Sequence, residues 1–277
     1  MGIFEGFMLA CDIDGTLMSN GYINPKNKEK IKFFEDEGGK FVISTGRGVA
    51  ALSNLLEQMP DIGVAVVANG CVIFDYQSND ILFQDNIKNS EYKYVDFIDN
   101  LGYDVGIEAH TSDGPFTLKH NRNSRLHQEY ENFDAPLVTI DEISDFKWNK
   151  VLYSFVDFEE REKAFEIVSN EDTDCVFLTS CTEIGGEVQH YLEQVPNGIS
   201  KANGILKLCD IFDIKKENVF AIGDYYNDYE MLKLASICAV PNSSPDDLKQ
   251  VADYITCTCR DGAVADFIDY LTSKFNA

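Results

Sequence analysis

Apolar residues fall along this chain in short unbroken runs separated by polar stretches of helical period. Phe7-Met8-Leu9-Ala10-Cys11, Phe41-Val42-Ile43-Ser44, Val64–Ala68 and Val219-Phe220-Ala221-Ile222 are apolar at almost every position and too short for buried helices. That is the pattern of strands covered on both faces of a sheet. Between them, Asn24-Pro25 offers an N-cap and a proline at the first helical position, and Gly38-Gly39 a stop, which predicts a helix over Lys26–Glu37. Further helices are predicted at 49–58, 200–210, 227–235, 245–252 and 261–274, and further strands at Lys40–Ser44, Ile237–Val240 and Tyr254–Thr256. Cys71–Tyr76 and Ile81–Phe83 read as a hairpin through Ser78-Asn79-Asp80. Strands alternating with helices imply an α/β core, a doubly wound parallel sheet with helices on both faces.

The middle of the chain breaks this rhythm. A helix at 89–100 precedes strands at Tyr103–Ala109 and Pro115–His120, with further strands at Val151–Val156, Cys175–Thr179 and Gln189–Val195 and a helix at Glu159–Ser169. Strands following strands predict an α+β insert with an antiparallel sheet. The expected division is a core of 1–83 and 191–277 interrupted by an insert of 84–190.

Charge and composition narrow the function. The 277 residues carry a net charge of −24, from 23 basic and 47 acidic side chains. No basic stripe is present to meet phosphate backbones, and the negative charge opposes anionic membrane surfaces, so neither nucleic acid nor membrane is expected as a partner. No run approaches the roughly 20 apolar residues of a membrane span. The first residues show no basic segment followed by an apolar one, and a cytoplasmic location is the expectation. Several of the eight cysteines sit in apolar runs, as buried free thiols do. Cys257-Thr258-Cys259 is read as two thiols on one strand face.

The candidate chemistry begins at Asp12-Ile13-Asp14-Gly15-Thr16-Leu17, directly after the first strand. Ligands of open α/β sheets bind beyond the carboxyl ends of the strands. Two acids held there repel each other and lose hydration, a cost compensated by a cation or a proton. Such a pair suits a hard metal, acid–base work or a carboxylate nucleophile. Three further positions stand at strand ends or helix starts: Thr45 before Gly46-Arg47, Lys201 after a glycine turn, and Asp224 and Asp228 in Gly223-Asp224-Tyr225-Tyr226-Asn227-Asp228. Taken singly, each has a plain structural reading as a turn, a helix cap or an exposed charge. Their combination and order carry the signal.

That order resembles the haloacid dehalogenase superfamily of phosphohydrolases, and within it the Cof-type, class IIB sugar phosphatases. Asp-x-Asp-Gly-Thr-Leu, Thr-Gly-Arg, Asn-Gly at Asn69-Gly70, Gly-Ile-Ser-Lys and Gly-Asp-x-x-Asn-Asp-x-x-Met-Leu occur here in family order over nearly the whole chain. The resemblance implies a Rossmann-like core with an inserted C2B-type cap, and a phosphatase acting on a small phosphorylated metabolite such as a sugar phosphate. It makes Asp12 the nucleophile that becomes an aspartyl-phosphate, and Asp14 the general acid and then base. Thr45 and Lys201 would bind and neutralise the transferring phosphoryl group. Asp12, Asp224, Asp228 and the Asp14 backbone carbonyl would hold Mg²⁺. Gly46, Arg47, Asn69, Gly70 and Asn227 would line the substrate cavity. In the insert, His110, Lys119, His120, Arg122, Arg125 and His190 are the basic or polar candidates, and Thr182–Glu187 is either a substrate-facing loop or a hairpin. A phosphomutase, or a non-catalytic sensor of phosphorylated metabolites, would use the same fold. Relatives carry Gly-Asn-Ala where this chain has Val240-Pro241-Asn242-Ser243-Ser244-Pro245, and Tyr225-Tyr226 puts two aromatic rings beside the metal acids.

Overall fold

The computed structural model describes residues 2–275. They form two compact units: the described residues up to Arg47, Leu55–Phe83 and those from Ser200 onward make one, and Gly48–Asn54 with Gln84–Ile199 the other.

The first unit opens with β1 (Met8–Cys11), buried at all four residues. A small hairpin follows, β2 (Met18–Ser19) and β3 (Tyr22–Ile23). Its connection, Asn20-Gly21, has positive φ at both residues, the backbone of a two-residue type I′ turn. In α1 (Pro25–Asp36) the Asn24 side chain accepts from the Lys26 amide, as the capping pattern predicted. Then come β4 (Lys40–Ser44), α2 (Ser53–Gln58, of which residues 55–58 fall in this unit), β5 (Val64–Val67), β6 (Val72–Asp75) and β7 (Asp80–Gln84). The helix expected over 49–58 is split, because Val49–Leu52 forms a tighter 3₁₀ turn closed by the Ala51 amide on the Gly48 carbonyl. Gly46 and Gly48 flank its start and carry no capping side chain.

The second unit contains α3 (Lys93–Asp99), β8 (Val105–Thr111), β9 (Gly114–Lys119), α4 (Arg122–Glu131), β10 (Trp148–Phe155), α5 (Phe158–Ser169), β11 (Cys175–Ile184) and β12 (Glu187–Pro196). Its sheet is antiparallel in the order β11-β12-β10-β8-β9. One face packs Ile107, Ala109, Val151, Tyr153 and Leu192 against α3 and α5 residues such as Val95, Ile98, Ala164 and Val168. Helix α4 was not expected, since its sequence has no apolar stripe. A capping box between Asn121 and Ser124 starts it, and the face it buries is polar: Asn123, Ser124 and His127. Strand β12 runs unbroken to Pro196, so the chain leaves this unit at 199/200 where the sequence reading drew 190/191.

The chain returns through α6 (Lys201–Phe212), β13 (Val219–Ile222), α7 (Tyr229–Leu234), β14 (Ile237–Pro241), α8 (Asp246–Lys249), β15 (Tyr254–Thr256) and α9 (Ala263–Phe275). The eight-stranded sheet of the first unit has the order β15-β14-β13-β1-β4-β5-β6-β7. It is parallel from β15 to β5, and β6 turns antiparallel to β5. Met8, Ala10, Val42 and Val66 cluster with Ile205 and Leu208 of α6 and Met231 of α7. On α1, Phe34 is fully buried and lies 4.6 Å from the Phe4 ring. Buried Asn27 ties two segments together, donating to the Leu17 carbonyl and accepting from the Ala265 amide.

Register sets the position of the candidate site. Cys11 lies level with Ile222 on one side and Ile43 on the other, so the segments after β1, β13 and β4 leave the sheet together. Chain order runs outward in both directions from β1, which makes this a topological switch point. All eight cysteines are free thiols. The pair at 257 and 259 does not share a strand: β15 ends at Thr256, and Cys259 opens a 3₁₀ turn closed by the Asp261–Thr258 hydrogen bond. Among the described residues no helix is long and apolar enough to cross a membrane.

Candidate active site

Asp12 is held at the end of β1 by its amide, which donates to the Ile222 carbonyl of β13 at 3.0 Å. Its carboxylate is buried and accepts from Lys201 Nζ at 2.6 Å. The same ammonium donates to Asp228 Oδ1, also at 2.6 Å. Lys201 is the first residue of α6, whose N-cap Ser200 accepts from the Asn203 amide. Asp228 Oδ2 accepts from the Asp224 and Tyr225 amides at 3.0 and 3.3 Å, and so folds the loop after β13 around itself. Asp224 Oδ1 accepts from Thr16 Oγ1 at 3.2 Å. One carboxylate oxygen from each of Asp12, Asp224 and Asp228 lies within 4.8 Å of the others.

Glycines let the acids come this close. A Cβ on Gly223 would sit 2.5 Å from the Asp228 carboxyl carbon, and one on Gly15 2.3 Å from Asp224 Oδ2. Gly15 also has a φ of +85°, which side chains resist.

The electrostatics show what the cluster lacks. Burial pushes the Asp12 carboxyl well up, and Lys201 opposes that shift while Asp228, Asp224 and Asp14 add to it. Burial and the neighbouring Asp228 raise Asp224 to about 6. Burial disfavours the charged Lys201 ammonium, but Asp12 and Asp228 outweigh it and hold the proton on. With all three carboxylates ionised, the one ammonium leaves two negative charges uncompensated. A divalent cation fits that deficit, and an all-oxygen donor set suits a hard ion such as Mg²⁺.

The other expected residues gather at the same end of the sheet. Thr45 is buried just after β4, and its Oγ1 accepts from the Arg47 amide. Arg47 reaches back to Asp14 with two parallel hydrogen bonds, Nε to Oδ2 at 2.8 Å and Nη2 to Oδ1 at 2.9 Å. The Asp14 side chain is half exposed, the guanidinium largely buried. Asn69 donates its amide to the Thr45 carbonyl, and a Cβ on Gly46 would meet Asn69 Oδ1 at 3.0 Å. Ala68, Asn69 and Gly70 all have positive φ, an unusual run for two residues with side chains. A Cβ on Gly70 would lie 2.2 Å from the Ser200 carbonyl oxygen, so this turn abuts the start of α6. Asn227 is exposed between Asp224 and Asp228. Tyr225 and Tyr226 are half exposed and meet edge to face at 4.9 Å.

The basic and polar candidates of the second unit stay within that unit. His110 is buried on β8, where a Cβ on Gly48 would meet its Nδ1 at 2.8 Å. Lys119 pairs with Asp99 at 2.5 Å and Arg122 with Glu187 at 2.6 Å. Arg125 is exposed on α4, His120 is half-buried, and His190 packs edge-on against Phe158. Residues 182–187 form the hairpin between β11 and β12, turning through Gly185-Gly186 with positive φ at both. Sequence reasoning missed Thr16, the glycine contacts and the Arg47–Asp14 pair. It also missed buried His127, which bridges Glu108 at 2.8 Å and Glu131 at 3.4 Å. Burial alone would lower this imidazole, yet the two carboxylates raise it to about 10.

The family model of haloacid dehalogenase-like hydrolases matches residues 9–268. A 5-amino-6-(5-phospho-D-ribitylamino)uracil phosphatase of Bacillus subtilis is 27% identical over 263 residues, covering 93% of this chain and 92% of its own. A haloacid dehalogenase-like hydrolase from Bacteroides thetaiotaomicron superposes with a TM-score of 0.79 at 22% identity, over 96% of this chain and 99% of its own. A solved structure described as a subclass IIB sugar phosphatase of the superfamily gives 0.80 at 22% identity, over 96% and 99%. These two superpositions speak to the fold.

Proposed function

This chain belongs to the haloacid dehalogenase-like hydrolases, and from that premise we propose that it is a Mg²⁺-dependent phosphatase of a small phosphorylated metabolite, working through an aspartyl-phosphate on Asp12. One observation carries the reading: Asp12, Asp224 and Asp228 lie within 4.8 Å of one another while Lys201 binds two of them. A structural salt bridge needs one acid for one base. A surplus of buried acids is costly unless a cation joins them.

Asp12, Asp224 and Asp228 would hold the ion, and it would supply positive charge against the phosphoryl oxygens. Asp12 attacks phosphorus, and the ester oxygen leaves with a proton from Asp14. Water then attacks the phosphoryl group, gives its proton to Asp14, and frees Asp12. Lys201 favours the ionised form of Asp12 and neutralises charge as it grows on the phosphoryl oxygens. Thr45 Oγ1 and the amides around Gly46 offer further donors. The curated relative acts on a phosphorylated ribityl compound. A phosphate ester on a sugar or sugar-alcohol chain is accordingly the first substrate class to try.

The test is phosphate release from a panel of phosphorylated sugars, sugar alcohols, nucleotides and small acids, with Mg²⁺ and with EDTA. Metal-dependent release that vanishes in Asp12→Asn is the expected result. Equal release in EDTA, or a folded Asp12→Asn protein with normal turnover, would refute it.

A further inference from the structure

Asp14 stands out among the four acids of the site by its exposure. Its side chain is 51% accessible, and it lies on a turn beyond β1. A half-exposed carboxylate is normally free to rotate, and general acid catalysis depends on its direction. Here both of its oxygens are engaged by one guanidinium, in the paired geometry that fixes direction as well as distance. Arg47 is in turn anchored: its amide donates to Thr45 Oγ1 and its carbonyl accepts from the Ala68 amide. A chain of contacts thus runs from the end of β5 to the proton-transfer group.

We propose that Arg47 is a positioning residue for Asp14, holding that carboxyl toward the leaving-group oxygen through the two-point contact. The inference rests on the phosphatase reading above. In the first step the Asp12–phosphorus bond forms, the ester phosphorus–oxygen bond breaks, and the ester oxygen takes the Asp14 proton. While Asp14 carries that proton on one oxygen, Arg47 retains a hydrogen bond to the other, so the carboxyl keeps its direction. Lysine, with a single ammonium, reproduces only part of this contact.

Leaving-group chemistry separates this role from phosphate binding or simple structural support. An alkyl phosphate needs a proton on its departing oxygen, whereas the nitrophenolate of p-nitrophenyl phosphate departs without one. The experiment compares kcat/KM for a sugar phosphate and for p-nitrophenyl phosphate in wild type, Arg47→Met, Asp14→Asn and the double variant. Arg47→Met should lower the alkyl-to-aryl ratio at least about tenfold, a part of the roughly 10²–10⁴-fold that general acid catalysis contributes. Asp14→Asn should lower it too, and the double variant should fall no further than Asp14→Asn alone, because Arg47 acts through Asp14. An equal loss on both esters in Arg47→Met would overturn the proposal, as would fully additive losses in the double variant. Asp12→Asn, assayed in parallel, separates the two claims: if it keeps activity on both esters, the phosphatase mechanism itself has failed.

Discussion

Each of the four acids at the site has its own set of neighbours. Asp12 meets an ammonium, Asp228 meets that ammonium and two amides, Asp224 meets a hydroxyl, and Asp14 meets a guanidinium. Lys201 links two of them, so its loss strands buried charge. Lys201→Met should cost about 3–5 kcal/mol, the range for breaking a buried pair from one side, as measured by urea unfolding in EDTA. A change below about 1 kcal/mol would show that the acids simply take up protons and the lysine matters little to folding. Most of these residues were legible from the sequence, because motif spacing places them at strand ends. Their partnerships were not: nothing in Thr-Gly-Arg says that Arg47 turns back to Asp14, or that Thr16 reaches Asp224 from far along the chain.

At the scale of elements, the site depends on turns that only particular residues can make. Gly70 has a φ of +104° and no room for a Cβ against Ser200. Gly70→Ala should destabilise by more than about 1 kcal/mol and disturb the start of α6, where Lys201 sits. An unchanged thermal midpoint and unchanged phosphate release in that variant would show that the turn is tolerant. The strands of the parallel sheet were readable because burial on both faces leaves runs with no polar interruption. Helix α4 was not, because it buries Asn123, Ser124 and His127 rather than an apolar stripe, and no hydrophobic period marks it. The small hairpin of β2 and β3 is marked in the sequence only by Asn20-Gly21, because its strands are two residues each and too short to show alternation. The strand Gln189–Val195 was read nearly to its end at Pro196, but the insert boundary was drawn through it at 190/191, and its full pairing with β11 keeps it in the second unit.

For the molecule as a whole, the acid cluster couples stability to pH and to metal. Asp224 rises to about 6 in the folded chain, above the roughly 3.9 of an unfolded Asp. A raised carboxyl stabilises the fold while protonated. Its contribution is therefore complete below the unfolded value and is lost as pH climbs through about 6. Without metal, the chain should lose stability over that window. A divalent ion favours the ionised acids, so the rise in melting temperature on adding Mg²⁺ should be small near about pH 5 and larger near about pH 7.5. The same rise at both values would contradict the assignment of Asp224 to the ion. The central claim remains the nucleophile, and it can be observed covalently. Wild-type protein mixed with a turned-over substrate and Mg²⁺, quenched in acid within a few turnovers and digested, should yield the peptide containing Asp12 carrying a phosphoryl group that hydroxylamine removes. Turnover with that peptide unmodified at every quench time, or with the label on another residue, would contradict the account.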